Sequence, residues 1–184
     1  MTILRLATPA DIPALSALIE ASTRELSVGF YAPEQIEAAV THVFGVDSQL
    51  IVDGTYYLIE EDHEPVAAGG WSARRTLYGG DQTKGADDPM LDPAVDAARI
   101  RAFFVHPRWA RRGLARRLYA QCARAAWMAG FRSLELVATS PGEPLYIALG
   151  FSVVERSAVH AAGVAIPCAT MRRELPRPEG GEAG

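Results

Sequence analysis

Arginines gather in one short stretch of this chain. From Arg99 to Arg117 the sequence reads RIRAFFVHPRWARRGLARR, with seven arginines and no carboxylate, although the chain as a whole carries a formal net charge of −4. The stretch runs from an apolar, strand-like segment through a turn into the start of a helix. Such a turn directs backbone N–H groups and the positive end of a helix dipole at one point, which suits a polyphosphate. The stretch therefore predicts a site for an anionic ligand.

Gly113 stands at the junction of this turn and the helix. A backbone that curls around phosphate oxygens places some residues at positive φ, which glycine accepts without strain. Arg111 to Arg116 would then supply the N–H groups. The alternative interpretation is an ordinary helix start with solvated arginines.

A second motif, PLYIALGF, occupies residues 144–151. Tyr146 falls in a short predicted helix, four residues before Gly150, where the next strand begins. A phenol at this place can donate a proton or a hydrogen bond. Taken alone, a tyrosine at this place is more often a core residue than a catalytic one.

Hydrophobic periodicity and turn residues predict alternating strands and helices along the chain. The predicted strands are 2–6, 55–60, 66–73, 100–105, 134–138, 151–155 and 164–174, and the predicted helices start near Ile12, Pro33, Leu114 and Pro144. Between them, residues 75–98 form a glycine- and aspartate-rich loop. A loop of this length is either a lid over a binding site or a disordered surface insertion.

Composition excludes several classes of function. Seven of the 18 Lys and Arg side chains lie in the arginine-rich stretch, so the rest of the chain has 11 cationic and 22 anionic side chains. This excess of negative charge disfavours a nucleic-acid backbone as partner. Cys122 and Cys168 lack the spacing of a zinc site, so we expect reduced thiols and no metal. No apolar run is long enough to span a membrane and no signal sequence precedes the first strand, so a cytoplasmic location is expected.

Together, in this order and spacing, the two motifs resemble the Gcn5-related N-acetyltransferase (GNAT) family. The resemblance covers Thr2 to Leu175. The family's cofactor loop, Gln/Arg-x-x-Gly-x-Gly/Ala, falls on residues 110–115, where Gly113 and Ala115 match and Ala110 departs. The Y-x-x-L-G-F motif that begins at Tyr146 matches fully.

The resemblance implies a fold and a co-substrate. The fold is α/β (α+β): a single domain over residues 1–175, with a mixed, mostly antiparallel sheet of six or seven strands and helices on both faces, and then a flexible tail, 176–184. The co-substrate is acetyl-coenzyme A, whose pantetheine arm would run along β-strand residues between two splayed strands. The implied cofactor-binding residues are Phe103, Phe104, Val105, Arg111, Arg112, Gly113, Leu114, Ala115, Arg116, Thr139 and Tyr146. Thr139 takes the place where the family often has an asparagine.

By the same resemblance, the chain is an enzyme that acetylates a primary amine, with Tyr146 as the catalytic residue that protonates the departing thiolate. A general base is left unassigned among Glu25, His42, Glu60 and an ion-paired or exposed Glu135.

Aromatic residues are the candidates for recognition of the acceptor: Phe30, Tyr31, Trp71 and Tyr78, of which Phe30 and Trp71 fit the core equally well. We expect a small-molecule amine as acceptor. The alternatives are a protein N-terminus or lysine, or a non-catalytic acyl-coenzyme A sensor. Dimerisation is left open.

Overall fold

Seven strands form one sheet in the computed structural model, which describes residues 1–85 and 87–176. The strands are β1 (Ile3–Leu6), β2 (Tyr56–Glu61), β3 (Glu64–Ser72), β4 (Ala98–Val105), β5 (Ser133–Thr139), β6 (Ser152–Ala161) and β7 (Val164–Glu174). Their order across the sheet is β1-β2-β3-β4-β5-β7-β6. Within the described residues, β4 and β5 run parallel and every other neighbouring pair is antiparallel. The predicted mixed, mostly antiparallel sheet is confirmed.

Helices cover both faces of the sheet. They are α1 (Ile12–Leu26), α2 (Pro33–Ala38), α3 (Ser48–Val52), α4 (Leu114–Met128) and α5 (Glu143–Ala148), and a π-helical turn, Ala39–Val43, continues α2. On one face α1 buries Leu15, Leu18 and Ile19 against the middle of the sheet. On the other face Leu118 and Cys122 of α4 are buried in the largest core cluster. These helical stripes are what the residue spacing predicts.

Two elements differ from the sequence-based prediction. The helix α3 was not predicted, because its five residues are too short to show a period. The strand β6 extends to Ala161 rather than ending at Glu155. Its first six residues are exposed because β6 is an edge strand, so the sequence lacks the alternation that marks a half-buried strand.

The long loop between β3 and β4 carries little regular structure. It contains a 3₁₀ turn, Asp81–Thr83, and an isolated bridge between Arg74 and Met90. Of the predicted tail only Pro176 lies inside the described residues. Among those residues, no helix has the length and apolar character that crossing a membrane requires.

Candidate active site

The strands β4 and β5 separate soon after they meet. Ladder pairing joins them only at Ala98 with Leu134 and at Arg99 with Glu135. A β-bulge follows in β4: Arg101 pairs with Gly70 and Phe104 with Ala68, and Ala102 adopts a φ of 54°. Bulges bend the strand that carries them. Beyond Arg99, β4 therefore turns an edge toward β5 that has no strand partner.

Phe103, Phe104 and Val105 form this open edge, and all three are half-buried. The Phe103 ring covers Gly69 so closely that a Cβ there would lie 2.6 Å from a ring carbon. The N–H of Val105 donates to the Ser22 hydroxyl oxygen at 3.3 Å, which is long for such a bond. An extended ligand that pairs with this edge would compete only with a weak contact.

The turn after β4 has the backbone that the sequence predicts. A 3₁₀ turn, Pro107–Trp109, is followed by Arg111 at φ 64° and Gly113 at φ 81°, and α4 begins at the next residue. A Cβ on Gly113 would meet no atom within 4 Å, so the turn needs glycine for its φ rather than for space.

The first turn of α4 presents its free N–H groups here. Leu114 is buried and Ala115 half-buried, whereas Arg111, Arg112 and Arg116 are exposed. The Arg112 guanidinium stacks 4.6 Å from the centroid of the Trp109 ring. Backbone N–H groups, a helix dipole and cationic side chains thus meet at one place, which fits a diphosphate.

Tyr146 lies in α5 beside the same edge. Its ring packs edge-on against Phe103 and Phe151, with centroid distances of 6.4 and 5.7 Å. The side chain is 8% exposed, and this burial raises the pKa of the phenol above its ordinary value. Tyr146 therefore stays protonated and can serve as a hydrogen-bond donor.

Thr139 ends β5 close to Tyr146. A Cβ on Gly142 would lie 3.2 Å from the Thr139 hydroxyl oxygen and 3.6 Å from a Tyr146 ring carbon. The structure therefore brings together Phe103, Thr139 and Tyr146, three of the residues predicted from sequence. The turn that contains Arg111 and Gly113 follows the end of β4.

A cavity of about 540 Å³ lies where three elements meet. The long loop, the π-helical turn and the β6–β7 hairpin border it. Its lining includes His42, Thr76, Tyr78, Val159 and His160. A narrow extension of about 20 Å³ shares Val43, Tyr78 and Val159 with this cavity and reaches Thr139 and Cys168. The lining of the extension therefore includes Thr139, the residue beside Tyr146.

The four aromatic residues predicted to recognise the acceptor lie in different environments. Tyr78 lines the cavity. Tyr31 lines the narrow extension, and its hydroxyl donates to the Pro167 carbonyl at 2.6 Å and accepts from the Ser140 N–H at 2.8 Å. Trp71 is buried in the core against Phe131, and Phe30 is more than half exposed. Of these four residues, Tyr78 and Tyr31 therefore line the cavity or its extension.

The carboxylates considered as a general base either form ion pairs with arginines or do not line the cavities. Glu135 binds Arg99 at 2.6 Å and Glu60 binds Arg5 at 2.9 Å. Glu25 is exposed and does not line either cavity. His42 does line the larger cavity, and so does His160, which the sequence reading missed because β6 was predicted too short. Among the described residues no group of His, Cys, Asp and Glu could hold a metal ion.

Comparison with known proteins gives a consistent assignment. The family model described as the acetyltransferase (GNAT) domain matches residues 52–153. None of the curated proteins matches this chain.

Three solved structures illustrate the likeness. A Gcn5-related N-acetyltransferase from Rhodopseudomonas palustris is 20% identical, with a TM-score of 0.71 over 95% of this chain and 96% of that one. The putative acetyltransferase YncA from Salmonella typhimurium, solved with its cofactor acetyl-CoA, is 16% identical, with a TM-score of 0.62 over 100% and 99%. The ribosomal-protein-S18-alanine N-acetyltransferase from Escherichia coli is 14% identical, with a TM-score of 0.58 over 100% of both chains.

At these identities the solved structures show a shared fold, and the family model covers more than half of the chain. The chain therefore belongs to the GNAT acetyltransferase domain family.

Proposed function

We propose that this protein transfers an acetyl or similar short acyl group from acetyl-coenzyme A to the primary amine of a small molecule. The observation that carries the proposal is the separation of β4 and β5, with Tyr146 and Thr139 beside the gap and the Gly113 turn at its end. The Salmonella neighbour was solved with its cofactor acetyl-CoA, which supports this choice of co-substrate.

The co-substrate would follow the open edge of β4. Backbone groups of Phe103, Phe104 and Val105 would pair with its amide-bearing arm as an added strand does. The Thr139 hydroxyl can replace one hydrogen bond of an asparagine amide there, but not both. N–H groups from Arg111 to Arg116 would hold the diphosphate, with the Ala110 side chain contributing no polar contact.

Acyl transfer then needs one bond to form and one to break. The bound thioester supplies the acyl group. The lone pair of a neutral amine forms a C–N bond to the acyl carbon, the C–S bond breaks, and its electron pair leaves on sulfur. The amine loses one proton and the sulfur gains one, so the products are an amide and a free thiol.

Tyr146 would assist the departure of the sulfur by donating a hydrogen bond. A phenol has an ordinary pKa near 10 and a thiol near 8.5, and burial raises the pKa of Tyr146 further. Complete proton transfer from Tyr146 to a thiolate is therefore uphill, whereas hydrogen-bond donation to the developing negative charge is favourable. The phenol keeps its own proton while the thiolate takes one up from solvent.

The amine must lose its proton before it attacks, since a lysine-like amine has an ordinary pKa of about 10.4. The narrow extension of the cavity includes Val43, Val137, Val159 and Ile166 and has no carboxylate in its lining. Such apolar surroundings disfavour the ammonium form. His42, His160 or water in the larger cavity would take the proton, and we assign this role to none of them singly.

The shape of the cavity favours a small amine over a polypeptide. The long loop and the β6–β7 hairpin both contribute to its lining, so the space available to an acceptor is bordered on two sides. The Escherichia coli neighbour acts on a ribosomal protein by its name, and protein acetylation is the alternative that the experiment must test.

The test combines binding and turnover. Calorimetric titration with acetyl-coenzyme A should give saturable binding. The protein is then incubated with acetyl-coenzyme A and a panel of primary amines and amine-terminated peptides. At least one small amine should cause release of free thiol, and mass spectrometry should identify the amide product. Turnover with peptides alone would favour the protein acetyltransferase. Tight binding without turnover on any acceptor would favour a sensor, and absence of binding at millimolar concentration would refute the proposal.

A further inference from the structure

A buried ion pair lies beneath the long loop that borders the cavity. Asp47 is 1% exposed and Arg101 is 2% exposed, and a guanidinium nitrogen of Arg101 lies 2.8 Å from a carboxylate oxygen of Asp47. Asp47 precedes α3 and also accepts the N–H of Gln49 at its N-terminus. Arg101 belongs to β4, immediately before the bulge. The pair therefore joins the start of α3 to the middle of the sheet.

The remaining hydrogen bonds of this pair go to the loop. Arg101 donates to the Thr76 carbonyl at 2.9 Å and to the Gly79 carbonyl at 2.8 Å. Lys84 forms a second ion pair with Asp47. The loop is thus attached at three points spread over nine residues. All of these attachments depend on two charged side chains that are buried in the sheet and at the α3 N-terminus.

Close backbone packing holds the same loop independently of these charges. The Gly80 N–H donates to the Val43 carbonyl at 3.1 Å. A Cβ on Gly80 would lie 2.8 Å from the backbone carbonyl of Gly45, a separation that real side chains do not reach. The φ of Gly80 is −99°, so alanine there would be opposed by the neighbouring backbone and not by its own conformation.

The anchored segment forms a wall of the cavity. Thr76, Tyr78 and Thr83 line it: Thr76 is itself an attachment point, Tyr78 directly precedes the anchored Gly79, and Thr83 directly precedes the anchored Lys84. We propose that Asp47 and Arg101 are positioning residues that hold this loop as a fixed wall, and that the fixed wall sets the size of the amine that the cavity admits. This inference rests on the proposed function for its substrate, but the state of the loop is independent of it.

A single added methyl group gives the first test. Gly80→Ala pushes the loop away from Gly45, whereas Gly85→Ala adds the same methyl where no atom lies within 4 Å. For Gly80→Ala we expect amide hydrogen exchange at residues 76–84 to accelerate at least tenfold, the KM for the best small amine of a panel from methylamine to tryptamine to rise about fivefold, and the KM for acetyl-coenzyme A to stay within twofold. Gly85→Ala should change none of these.

Loss of the charge gives the second test. Asp47→Asn keeps the size of the side chain and an oxygen for the Gln49 N–H, but it leaves Arg101 and Lys84 without a counter-charge. The same loss of loop protection and the same rise of the amine KM are expected, together with a relative gain of turnover on the bulkier amines. Asp11→Asn removes another carboxylate paired with an arginine, Arg5, at the first helix, and should leave the loop and the amine KM unchanged.

Two results would overturn the inference. Wild-type exchange rates at residues 76–84 in Asp47→Asn would show that the buried pair does not hold the loop, whatever the result for Gly80→Ala. An acetyl-coenzyme A KM that rises as much as the amine KM would show general damage to the fold. If the wild-type protein acetylates no amine of the panel, the proposed function fails, while the exchange rates still decide whether the wall is held.

Discussion

The two loops on either side of β4 are built in opposite ways. The loop that follows β4 owes its shape to its backbone, with Arg111 and Gly113 at positive φ and exposed side chains around them. The loop that precedes β4 owes its shape to side chains elsewhere in the chain, above all Asp47 and Arg101. One would bind the co-substrate and the other would shape the acceptor site.

The difference has a physical reason. Backbone N–H groups at a helix start bind a diphosphate whatever side chains surround them. Recognition of a particular acceptor depends instead on side chains and on loop length, which can change while the sheet is kept. Substitutions that affect the loop before β4 should therefore act by leaving a buried charge unpaired. Substitutions in the loop after β4 should act by changing the backbone conformation.

The largest effect is expected from Asp47→Ala. Removing one partner of a buried ion pair leaves an uncompensated charge, so the free energy of unfolding should fall by about 3–5 kcal/mol. The matched control is Asp53→Ala, because Asp53 pairs with Arg74 at 21% and 27% exposure and such a pair contributes about 1 kcal/mol or less. Urea unfolding followed by circular dichroism measures both. Equal losses would mean that burial of the first pair is energetically unimportant.

A smaller effect, on turnover only, is expected from Tyr146→Phe. A hydrogen bond to a charged group contributes about 1.5–3 kcal/mol, so kcat should fall about 10- to 100-fold while the affinity for acetyl-coenzyme A is kept. Tyr119→Phe is the control, since Tyr119 is likewise a buried tyrosine packed on Phe151, but its hydroxyl accepts from Arg173. An unchanged kcat with a good acceptor would remove Tyr146 from the mechanism.

The pH dependence of turnover gives a further check on Tyr146. Its pKa is raised by burial, so the phenol remains protonated below its ordinary pKa near 10 and ionises only above it. We expect kcat to rise with pH as the amine becomes neutral and not to fall between pH 8 and 10. A descending limb in that range in the wild type, absent in Tyr146→Phe, would show that the phenol ionises earlier than its burial implies.

Backbone conformation is tested by glycine substitutions. Gly113→Ala and Gly54→Ala both place a methyl group at a left-handed φ, 81° and 68°, with no atom within 4 Å. Each should therefore lower the free energy of unfolding by about 1–2 kcal/mol. Only Gly113→Ala should weaken the binding of acetyl-coenzyme A, by about tenfold in calorimetry, because the strained turn re-aims its N–H groups. Equal affinities would show that the turn does not hold the co-substrate.

The same contrast explains what the sequence could predict. Gly113 and the YxxLGF motif are readable because a left-handed turn and a short helix before a strand restrict the residue types that fit. The anchoring role of Asp47 was not readable, since its partners are 37 and 54 residues away and nothing local marks them. His160 was missed for a related reason: the exposed edge strand that carries it has no hydrophobic alternation, although its pairing with β7 is unbroken from Glu155 to Ala161.

The smallest effect is expected where an arginine near the proposed diphosphate site is truncated. Arg116 is exposed on the first turn of α4, so in Arg116→Ala the affinity for acetyl-coenzyme A should fall only about two- to fivefold, consistent with the 1 kcal/mol or less that exposed charges contribute. This loss should diminish at high salt, which screens exposed charges. Arg124→Ala, also exposed but two turns further along α4, should have no effect on binding. A hundredfold weakening of binding by Arg116→Ala at all salt concentrations would contradict this expectation. The turn after β4 would then depend on side chains, as the loop between β3 and β4 does, and the distinction between the two loops would be wrong.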